Sequence, residues 1–418
     1  MKLFRKIQKW FENQENLYYL FLIILIVPNI VLCFTEPMPL VAKVCNVLLP
    51  FSIYHMIMSW SGNCGKTFWI LFPFLFFGAF QIVLLYLFGQ SVIAVDMFLN
   101  LVTTNPGEAL ELLDNLIPAI IIVVLLYIPA LVLAAVAVSK KRRLSETLVR
   151  RERKRARITV IAGILSLVAA YLFDARYELK SDLYPANVCY NIALAFQRTA
   201  QTQHYAETSK DFTFQAKTTR PEKNREVYVM VIGETSRAAN WSIYGYNRNT
   251  NPELTKIKGL TAFSHVLTES NTTHKSVPML MSSVTAHDFN SIYRQKGIIT
   301  AFKEAGYRTA FFSNQRYNHS FIDFFGKEAD ICDFIKEDTG DGSYNPSDDE
   351  LLKLVAAELA ENASKQFIVL HTYGSHFNYR ERYPADNAFF LPDFPVDAEL
   401  KYKDNLINAY DNSIRYTD

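Results

Sequence analysis

The first 173 residues carry five apolar stretches of membrane-spanning length. About 20 apolar residues are needed to cross the hydrocarbon core as a helix. The stretches are Leu17–Phe34, Leu40–Trp60, Phe68–Phe88, Leu116–Val138 and Ile158–Phe173. Their prolines are tolerable in membrane helices, where neighbouring groups satisfy the freed carbonyls. The pattern therefore predicts a transmembrane domain of about five helices in residues 1–173.

The pattern changes after residue 173. Residues 174–200 form an amphipathic segment with several tyrosines, which favours a position along the membrane surface. Residues 206–226 are polar and lack periodicity. We therefore expect an interfacial connector and linker over residues 174–226.

Residues 227–418 alternate between strand and helix patterns. Val227–Gly233 is a near-continuous β-branched run, typical of a strand buried on both faces of a parallel sheet. Similar runs lie at Thr309–Ser313 and Phe367–Thr372. Helical patterns occur at Gly297–Ala305 and at Asp348–Ala363, where Ser347 is the expected N-cap. This alternation predicts a doubly wound α/β domain.

The charges divide the chain in the same place. Residues 1–173 carry 16 Lys and Arg against 9 Asp and Glu, and the remainder carries 27 against 32. Ten basic residues lie in Lys140–Arg157, whereas the loop at 89–115 has four acids and no Lys or Arg. By the positive-inside rule, the basic segments face the cytoplasm and the C-terminal domain lies outside it. Because apolar spans flank the basic run, membrane topology explains it better than a nucleic-acid site, and no nucleic-acid partner is expected.

Five cysteines are too few for a disulfide scaffold. Only Cys189 and Cys332 lie in the C-terminal part, and the sequence leaves open whether they pair.

Polar clusters follow each of the three predicted strands. They begin at Glu234, at Ser313 and at His371. Ligands of open α/β sheets bind beyond the carboxyl ends of the strands. The three clusters therefore indicate one site at that edge.

Several side chains in this region suit phosphoryl transfer. Glu234 is either a metal ligand or a loop acid that caps a helix. Thr272 or Thr273, before the helical run MLMSS, is either a nucleophile at a helix N-terminus or an ordinary N-cap. His376 is either a donor to a phosphate oxygen or a structural histidine. The residues alone suggest metal-assisted phosphoryl or sulfuryl transfer.

Four ordered motifs make the chain recognisable. GETSRAANWSIYGYNRNTNPEL, NTTHKSVPMLMSS, GSHFNYRERYP and YDNSIRYTD closely resemble those of the bacterial phosphoethanolamine transferases. These are membrane members of the alkaline phosphatase and sulfatase superfamily, and they include lipid A modifying enzymes linked to polymyxin resistance. The segments LVTTNPGEALELL and LYPANVCYN of the membrane half are also similar to that family.

The resemblance implies a specific reaction and site. Thr273 would take phosphoethanolamine from phosphatidylethanolamine and pass it to lipid A or another glycolipid of the envelope. Glu234 and Thr273 would bind Zn²⁺, and His376 would contact the phosphoryl group. Further substrate-binding residues are expected at Lys275, Asn314, Gln315 and His319. The chain would be a multi-pass protein of the bacterial inner membrane, with its catalytic domain in the periplasm.

The chain departs from the family in three respects. The family's other zinc ligands, an Asp-His pair, follow the YDNSIRYTD segment, whereas these 418 residues contain no Asp-His dipeptide. We therefore expect the sequence to be a fragment with an incomplete catalytic sheet. Relatives place a lysine after the second predicted strand, where this chain has Asn314, Gln315 and His319. Cysteines that flank the nucleophile in many relatives are also absent.

Two other functions remain open from the sequence. One is a related membrane-anchored phosphotransferase or phosphohydrolase, although residues 276–280 lack the arginine of the sulfatase signature. The other is an envelope protein that binds phospholipid or a partner through an incomplete site.

Overall fold

The computed structural model describes residue 6 and residues 9–89, 92–95, 97–98, 106–219, 225–317, 319–336, 346–393 and 402–418. The chain divides into two compact units. The first contains residues 1–102 and 115–197, and the second contains residues 103–114 and 198–418.

The first unit contains the long apolar helices that the sequence predicts. The helices are α1 (Gln14–Thr35), α2 (Leu40–Trp60), α3 (Cys64–Ile70), α4 (Phe72–Phe88), α5 (Pro106–Ser139) and α6 (Glu146–Phe173). Four of the described helices are each long and apolar enough to cross a membrane. If the bent pair α3–α4 counts as one further span, the number rises to five. The helical membrane region is thus confirmed, while Asp96 and the acidic side chains of residues 106–115 lie outside the described residues.

The third predicted span is broken. Helices α3 and α4 meet at Leu71 with a bend of 60°. Pro73 lies in the first turn of α4, where its missing N–H costs no helical hydrogen bond, so α4 can begin there. In a continuous helix through this position, Pro73 would leave one backbone carbonyl of the preceding turn without its hydrogen-bond donor.

Helix α6 packs closely on α2 through small residues. A Cβ atom added to Gly163 would lie 2.7 Å from the Ser52 Oγ atom and 3.2 Å from the Leu49 Cα atom. Ala156, Ser166 and Ala170 lie on the same buried face of α6. Small residues allow helix backbones to approach closely in membranes.

We therefore expect Gly163→Val to destabilise the first unit. The added side chain would meet the Ser52 side chain and the Leu49 backbone, and overpacking of this kind costs about 1–3 kcal/mol. Thermal unfolding of the detergent-solubilised chain should show a lower midpoint. Gly62→Val is the matched control, because a Cβ atom at Gly62 meets no atom within 4 Å. Equal midpoints for the two variants would contradict the packing argument.

The second unit is built on a parallel sheet. Its strands are β1 (Glu226–Ile232), β2 (Arg308–Ser313), β3 (Ile331–Phe334) and β4 (Lys365–His371), in the order β1-β4-β2-β3. The predicted α/β architecture is confirmed. The sequence prediction missed β3, which has only four residues.

The prediction that the first strand is buried on both faces is wrong. Strand β1 pairs with β4 alone among the described strands, and its exposure alternates along its length. Val227, Val229 and Val231 are 37%, 47% and 61% exposed. Only β4, which lies between β1 and β2, is buried at every residue. A continuous apolar run therefore does not distinguish an edge strand from a central one.

Helices of the second unit lie on both faces of the sheet, whereas residues 179–197, which lie in two further helices, belong to the first unit. The remaining α-helices are α7 (Leu179–Asp182), α8 (Ala186–Gln203), α9 (Tyr205–Thr208), α10 (Thr273–Leu280), α11 (Ile298–Glu304), α12 (Phe321–Gly326), α13 (Glu350–Ala360) and α14 (Lys403–Thr417). Residues of α10, α11 and α12 share one buried apolar cluster with Phe367 and Val369 of β4. Leu351 of α13 packs with Ile368 and Leu370 on the other face. The sheet is therefore covered on both sides, as in a doubly wound fold.

The polar linker is held at one point by a carboxylate. Glu304 accepts hydrogen bonds from the backbone N–H groups of Phe214 and Ala216 and from the Thr213 hydroxyl, at 2.8–3.1 Å. These bonds lower the pKa of Glu304. The linker is thus attached to the end of α11 within the second unit.

Cys189 and Cys332 are both free thiols.

Candidate active site

The register of the sheet brings the three predicted polar clusters to one edge. Ile232 pairs with His371, which pairs with Ser313, so β1, β4 and β2 end together. Backbone bonds continue beyond the strands: the Asn314 N–H donates to the His371 carbonyl at 2.8 Å, and the Ser375 N–H donates to the Glu234 carbonyl at 3.0 Å. Glu234, Gln315 and Ser375 therefore lie at the same edge of the sheet.

The Thr273 hydroxyl meets the Glu234 carboxylate. Its Oγ1 atom donates towards both carboxylate oxygens, at 3.1 Å from Oε1 and 3.0 Å from Oε2. The Thr235 hydroxyl also donates to Oε1, at 2.9 Å. Both Glu234 and Thr273 are half-buried, so the pair is fixed in position and still reachable.

Thr273 is the first residue of α10, so the expectation that the helix follows at MLMSS is wrong. Helix α10 runs from Thr273 to Leu280, and its N-cap is Thr272, whose side chain makes no capping bond. The helix includes Pro278. Thr273 is therefore not an ordinary N-cap. Its hydroxyl bonds a carboxylate that lies 39 residues away in the sequence. The N-terminal end of a helix also favours a negatively charged group beside it.

Gly374 allows the loop after β4 to approach Glu234. It adopts a φ of +52°, and a Cβ atom there would lie 2.8 Å from the Glu234 carbonyl oxygen and 3.0 Å from its nitrogen. Any other residue would be strained and would push the Glu234 backbone away. The close approach holds Glu234 in place.

Asp348 organises this edge, and the sequence analysis did not identify it. Its carboxylate accepts the N–H groups of Tyr373 at 2.7 Å and Gly374 at 2.8 Å, and also the Asn314 amide at 2.8 Å. The sequence analysis instead placed Asp348 in a helix capped by Ser347. In the structure, α13 begins two residues later at Glu350 and Asp349 is the N-cap. The position of Asp348 just before a helix is the only signal in the sequence, and it does not distinguish this acid from an ordinary helix cap.

Asn314 and Gln315 contact protein groups at this edge. Asn314 is 1% exposed, and its amide nitrogen donates to the Pro346 carbonyl and to Asp348. Gln315 donates to the Thr372 carbonyl at 2.9 Å. Gln315 thus connects the end of β2 to the end of β4, and Asn314 connects it to the segment before α13. Their substrate contacts stay predictions.

The three remaining predicted substrate residues are placed differently. The Nδ1 atom of His376 lies 2.6 Å from the Phe377 carbonyl, so this nitrogen carries the hydrogen and Nε2 is left for a ligand. Its ring stacks on Tyr373 with a centroid distance of 4.7 Å. His319 is exposed and packs edge-on against Tyr317. Lys275 is half-buried in the first turn of α10.

The described residues supply only part of the ligand set that a zinc ion needs. Glu234 and Thr273 supply two oxygen ligands, whereas zinc takes three or four protein ligands. No group of three or more His, Cys, Asp or Glu side chains that could hold a metal occurs in the described parts of the chain. The two oxygens are therefore a partial ligand set.

His371 is a buried histidine at the end of β4. It is fully buried, and neither ring nitrogen has a hydrogen-bond partner within the residues described. Burial lowers its pKa to about 4. The residue is therefore neutral when the domain is folded near neutral pH.

This burial predicts a pH-dependent stability. Below the ordinary histidine pKa of ~6.5, His371 binds a proton in the unfolded chain but stays neutral in the folded chain. Proton binding therefore favours the unfolded chain, and the free energy of unfolding decreases as the pH falls from about 6.5 towards 4. Between pH 7.5 and 5 the loss amounts to about 2 kcal/mol. His371→Leu should remove this part of the pH dependence in thermal unfolding of the solubilised chain. His287→Leu, which replaces an exposed histidine, should not.

Two known families match separate parts of this chain. The family described as phosphoethanolamine transferase EptA/EptB matches residues 53–200, and the sulfatase family matches residues 226–418.

Curated relatives have similar names. Kdo(2)-lipid A phosphoethanolamine 7''-transferase of Escherichia coli K12 is 32% identical over 50% of this chain and 37% of its own length. Phosphatidylethanolamine transferase Mcr-1 of Escherichia coli is 30% identical over 60% of this chain and 48% of its own length. The chain thus spans less than half the length of these two relatives.

A solved structure shares the fold over nearly the whole chain. It is the integral membrane protein lipooligosaccharide phosphoethanolamine transferase A of Neisseria meningitidis. The TM-score is 0.69, and the match covers 96% of this chain and 77% of that one at 19% identity. At 19% sequence identity, this structural similarity shows that the two chains share a fold.

Proposed function

Since this chain belongs to the phosphoethanolamine transferases of the alkaline phosphatase and sulfatase superfamily, we propose that it transfers phosphoethanolamine from phosphatidylethanolamine to lipid A or another envelope glycolipid. The observation that carries this proposal is the Thr273 hydroxyl bonded to both oxygens of Glu234 at the start of a helix. A hydroxyl in this setting is placed to become a covalent nucleophile.

The proposed first step forms a phosphothreonine. The Oγ1 atom of Thr273 attacks the phosphorus of phosphatidylethanolamine, and the bond from phosphorus to the diacylglycerol oxygen breaks. Glu234 accepts the hydroxyl proton, because its carboxylate already holds that hydrogen bond. The leaving oxygen takes up a proton, for which His376 is the candidate donor when its imidazole is protonated.

The second step regenerates the enzyme. An oxygen of the acceptor, such as a lipid A phosphate, attacks the phosphorus of phosphothreonine. The Thr273 oxygen leaves and recovers the proton held by Glu234, and His376 regains its proton from the attacking acceptor hydroxyl or, when a phosphate anion attacks, from water. The helix N-terminus at Thr273 stabilises the phosphoryl oxygens in both steps.

Zn²⁺ is the proposed cofactor, with Glu234 and Thr273 as two of its ligands. When bound, a zinc ion lowers the pKa of a coordinated hydroxyl and polarises the phosphoryl group. Neither step above is routed through the metal.

The proposed location is the periplasmic side of the bacterial inner membrane. The support is the excess of basic residues at one end of the helices and the apolar spans themselves. A membrane anchor gives the catalytic domain access to a phospholipid donor in the bilayer.

Mass spectrometry of lipid A tests the proposal. The protein should be expressed in a bacterial host that lacks other phosphoethanolamine transferases. We expect a lipid A species that carries phosphoethanolamine, together with an equal amount of released diacylglycerol. Glycerophosphate on the acceptor, or phosphoethanolamine released into water, would favour the related phosphotransferase or phosphohydrolase. Unmodified lipid A with phospholipid still bound to the protein would favour a binding protein.

A further inference from the structure

The outward face of α6 is a continuous stripe of cations followed by apolar residues. Arg150, Lys154 and Arg157 succeed one another at helical spacing, and the same line continues through the apolar residues Ile161, Leu165, Val168 and Leu172. At 100° per residue, all seven fall within an arc of about 80°. The four apolar side chains are between 49% and 75% exposed.

Packing fixes the direction of this stripe. The opposite face of α6 carries Glu152, Ala156 and Gly163, which are buried, and Gly163 lies against α2. Only 17% of the most apolar part of α6 is buried, compared with 56% for α1. The stripe therefore faces away from the helix bundle.

Three other cations of this helix form hydrogen bonds and ion pairs with groups of the first unit. Arg151 and Arg155 bond the buried Glu152 carboxylate, at 2.8 and 2.9 Å. Arg153 donates to the carbonyl groups of Ser59 and Trp60 at the end of α2. These three arginines stabilise the bundle.

The cations of the stripe have no comparable partners. Lys154 and Arg157 make no side-chain hydrogen bond or ion pair within the part of the chain that the structure describes. Arg150 pairs only with Glu146, and both side chains are more than 80% exposed. Such a pair contributes little. The three charges are thus available to an anion.

The dimensions of the stripe match a phospholipid. Ile161 to Leu172 spans about 17 Å along the helix, close to the ~15 Å thickness of one leaflet's hydrocarbon. The three cations occupy the next ~10 Å, at the level of the headgroups. One acyl chain can therefore lie along the apolar residues while its phosphate meets the cations.

We propose that this face of α6 is a binding site for an anionic phospholipid. Three exposed cations, of which only Arg150 has an ion-pair partner, favour a headgroup with a net negative charge over the zwitterionic phosphatidylethanolamine, whose ammonium group they repel. The site lies at the basic end of the helices and is independent of the proposed transfer reaction. Its occupant stabilises this end of the bundle.

Native mass spectrometry of the detergent-solubilised chain tests the site. The protein is mixed with equal amounts of phosphatidylglycerol and phosphatidylethanolamine that carry identical acyl chains. We expect phosphatidylglycerol adducts to dominate, and Lys154→Gln to weaken them about fivefold, since each basic residue near the surface contributes ~1 kcal/mol. Arg157→Lys, which keeps the charge, should retain most of the binding.

A charge-matched control separates a site from general basicity. Arg150→Gln/Lys154→Gln/Arg157→Gln should abolish the preference for phosphatidylglycerol. Lys140→Gln/Lys141→Gln/Arg143→Gln removes the same charge from the exposed turn before α6 and should leave the preference intact. Equal losses in the two triple variants would overturn the proposal, as would equal binding of the two lipids to the unmodified chain. The single variant Lys154→Gln decides the matter if the first triple variant does not fold.

Discussion

Thr273→Ala is expected to reduce phosphoethanolamine transfer to below about a thousandth of the unmodified rate. Removal of a covalent nucleophile abolishes both half-reactions, and losses of this size or larger are typical. The substitution should leave expression and thermal stability close to normal, because the hydroxyl is bonded to Glu234 and takes no part in the core. The measurement is the amount of modified lipid A per unit of protein in cells.

Thr272→Ala provides the control for this variant. Thr272 is the adjacent residue and the N-cap of α10, but its side chain makes no capping bond. Transfer by this variant should stay within a few-fold of normal. An unchanged level of modified lipid A in Thr273→Ala would exclude Thr273 as the nucleophile.

Glu234→Gln is expected to lower transfer about 10²–10³-fold with little effect on folding. The amide keeps the shape of the side chain, but it can neither take up the hydroxyl proton nor offer two equivalent acceptor oxygens to Thr273. Loss of a general base typically costs about 10²–10⁴ in rate. Steady-state transfer to lipid A by the purified protein in detergent measures the effect.

A second measurement tests the metal role of Glu234. Zinc content of the purified protein, determined by elemental analysis, should fall in Glu234→Gln and should be unaffected in Glu253→Gln. Glu253 is an exposed acid whose side chain pairs only with Lys256 in the described structure. Normal transfer by Glu234→Gln would contradict the assignment of Glu234 to the site, whatever the zinc content.

The long-range architecture could be read from the sequence because it depends on periodicity. Leu40–Trp60 is a helix at the predicted bounds, since a run of 21 residues with its apolar character has few alternatives in a membrane. The bend at Leu71 was missed, because a proline is compatible both with a continuous membrane helix and with a helix start. Strand β1 was misjudged because burial depends on strand order, which periodicity does not contain.

The site could be predicted only in part. The strand ends indicated the correct edge, and the resemblance singled out Glu234 and Thr273. The contact between these two residues spans 39 positions, and no local pattern encodes it. Asp348 escaped notice because its partners are backbone N–H groups of Tyr373 and Gly374, which leave no trace in side-chain chemistry. Tertiary contacts of this kind become visible only in the folded chain.

Peptide mass spectrometry of the protein after incubation with phosphatidylethanolamine, without acceptor, tests the central claim most directly. If Thr273 is the nucleophile, the peptide that contains it should gain a phosphoethanolamine group, and subsequent addition of lipid A should remove that group. The same peptide from Thr273→Ala should stay unmodified. Transfer to lipid A without any modification of Thr273, or with the group on a different residue, would contradict the account.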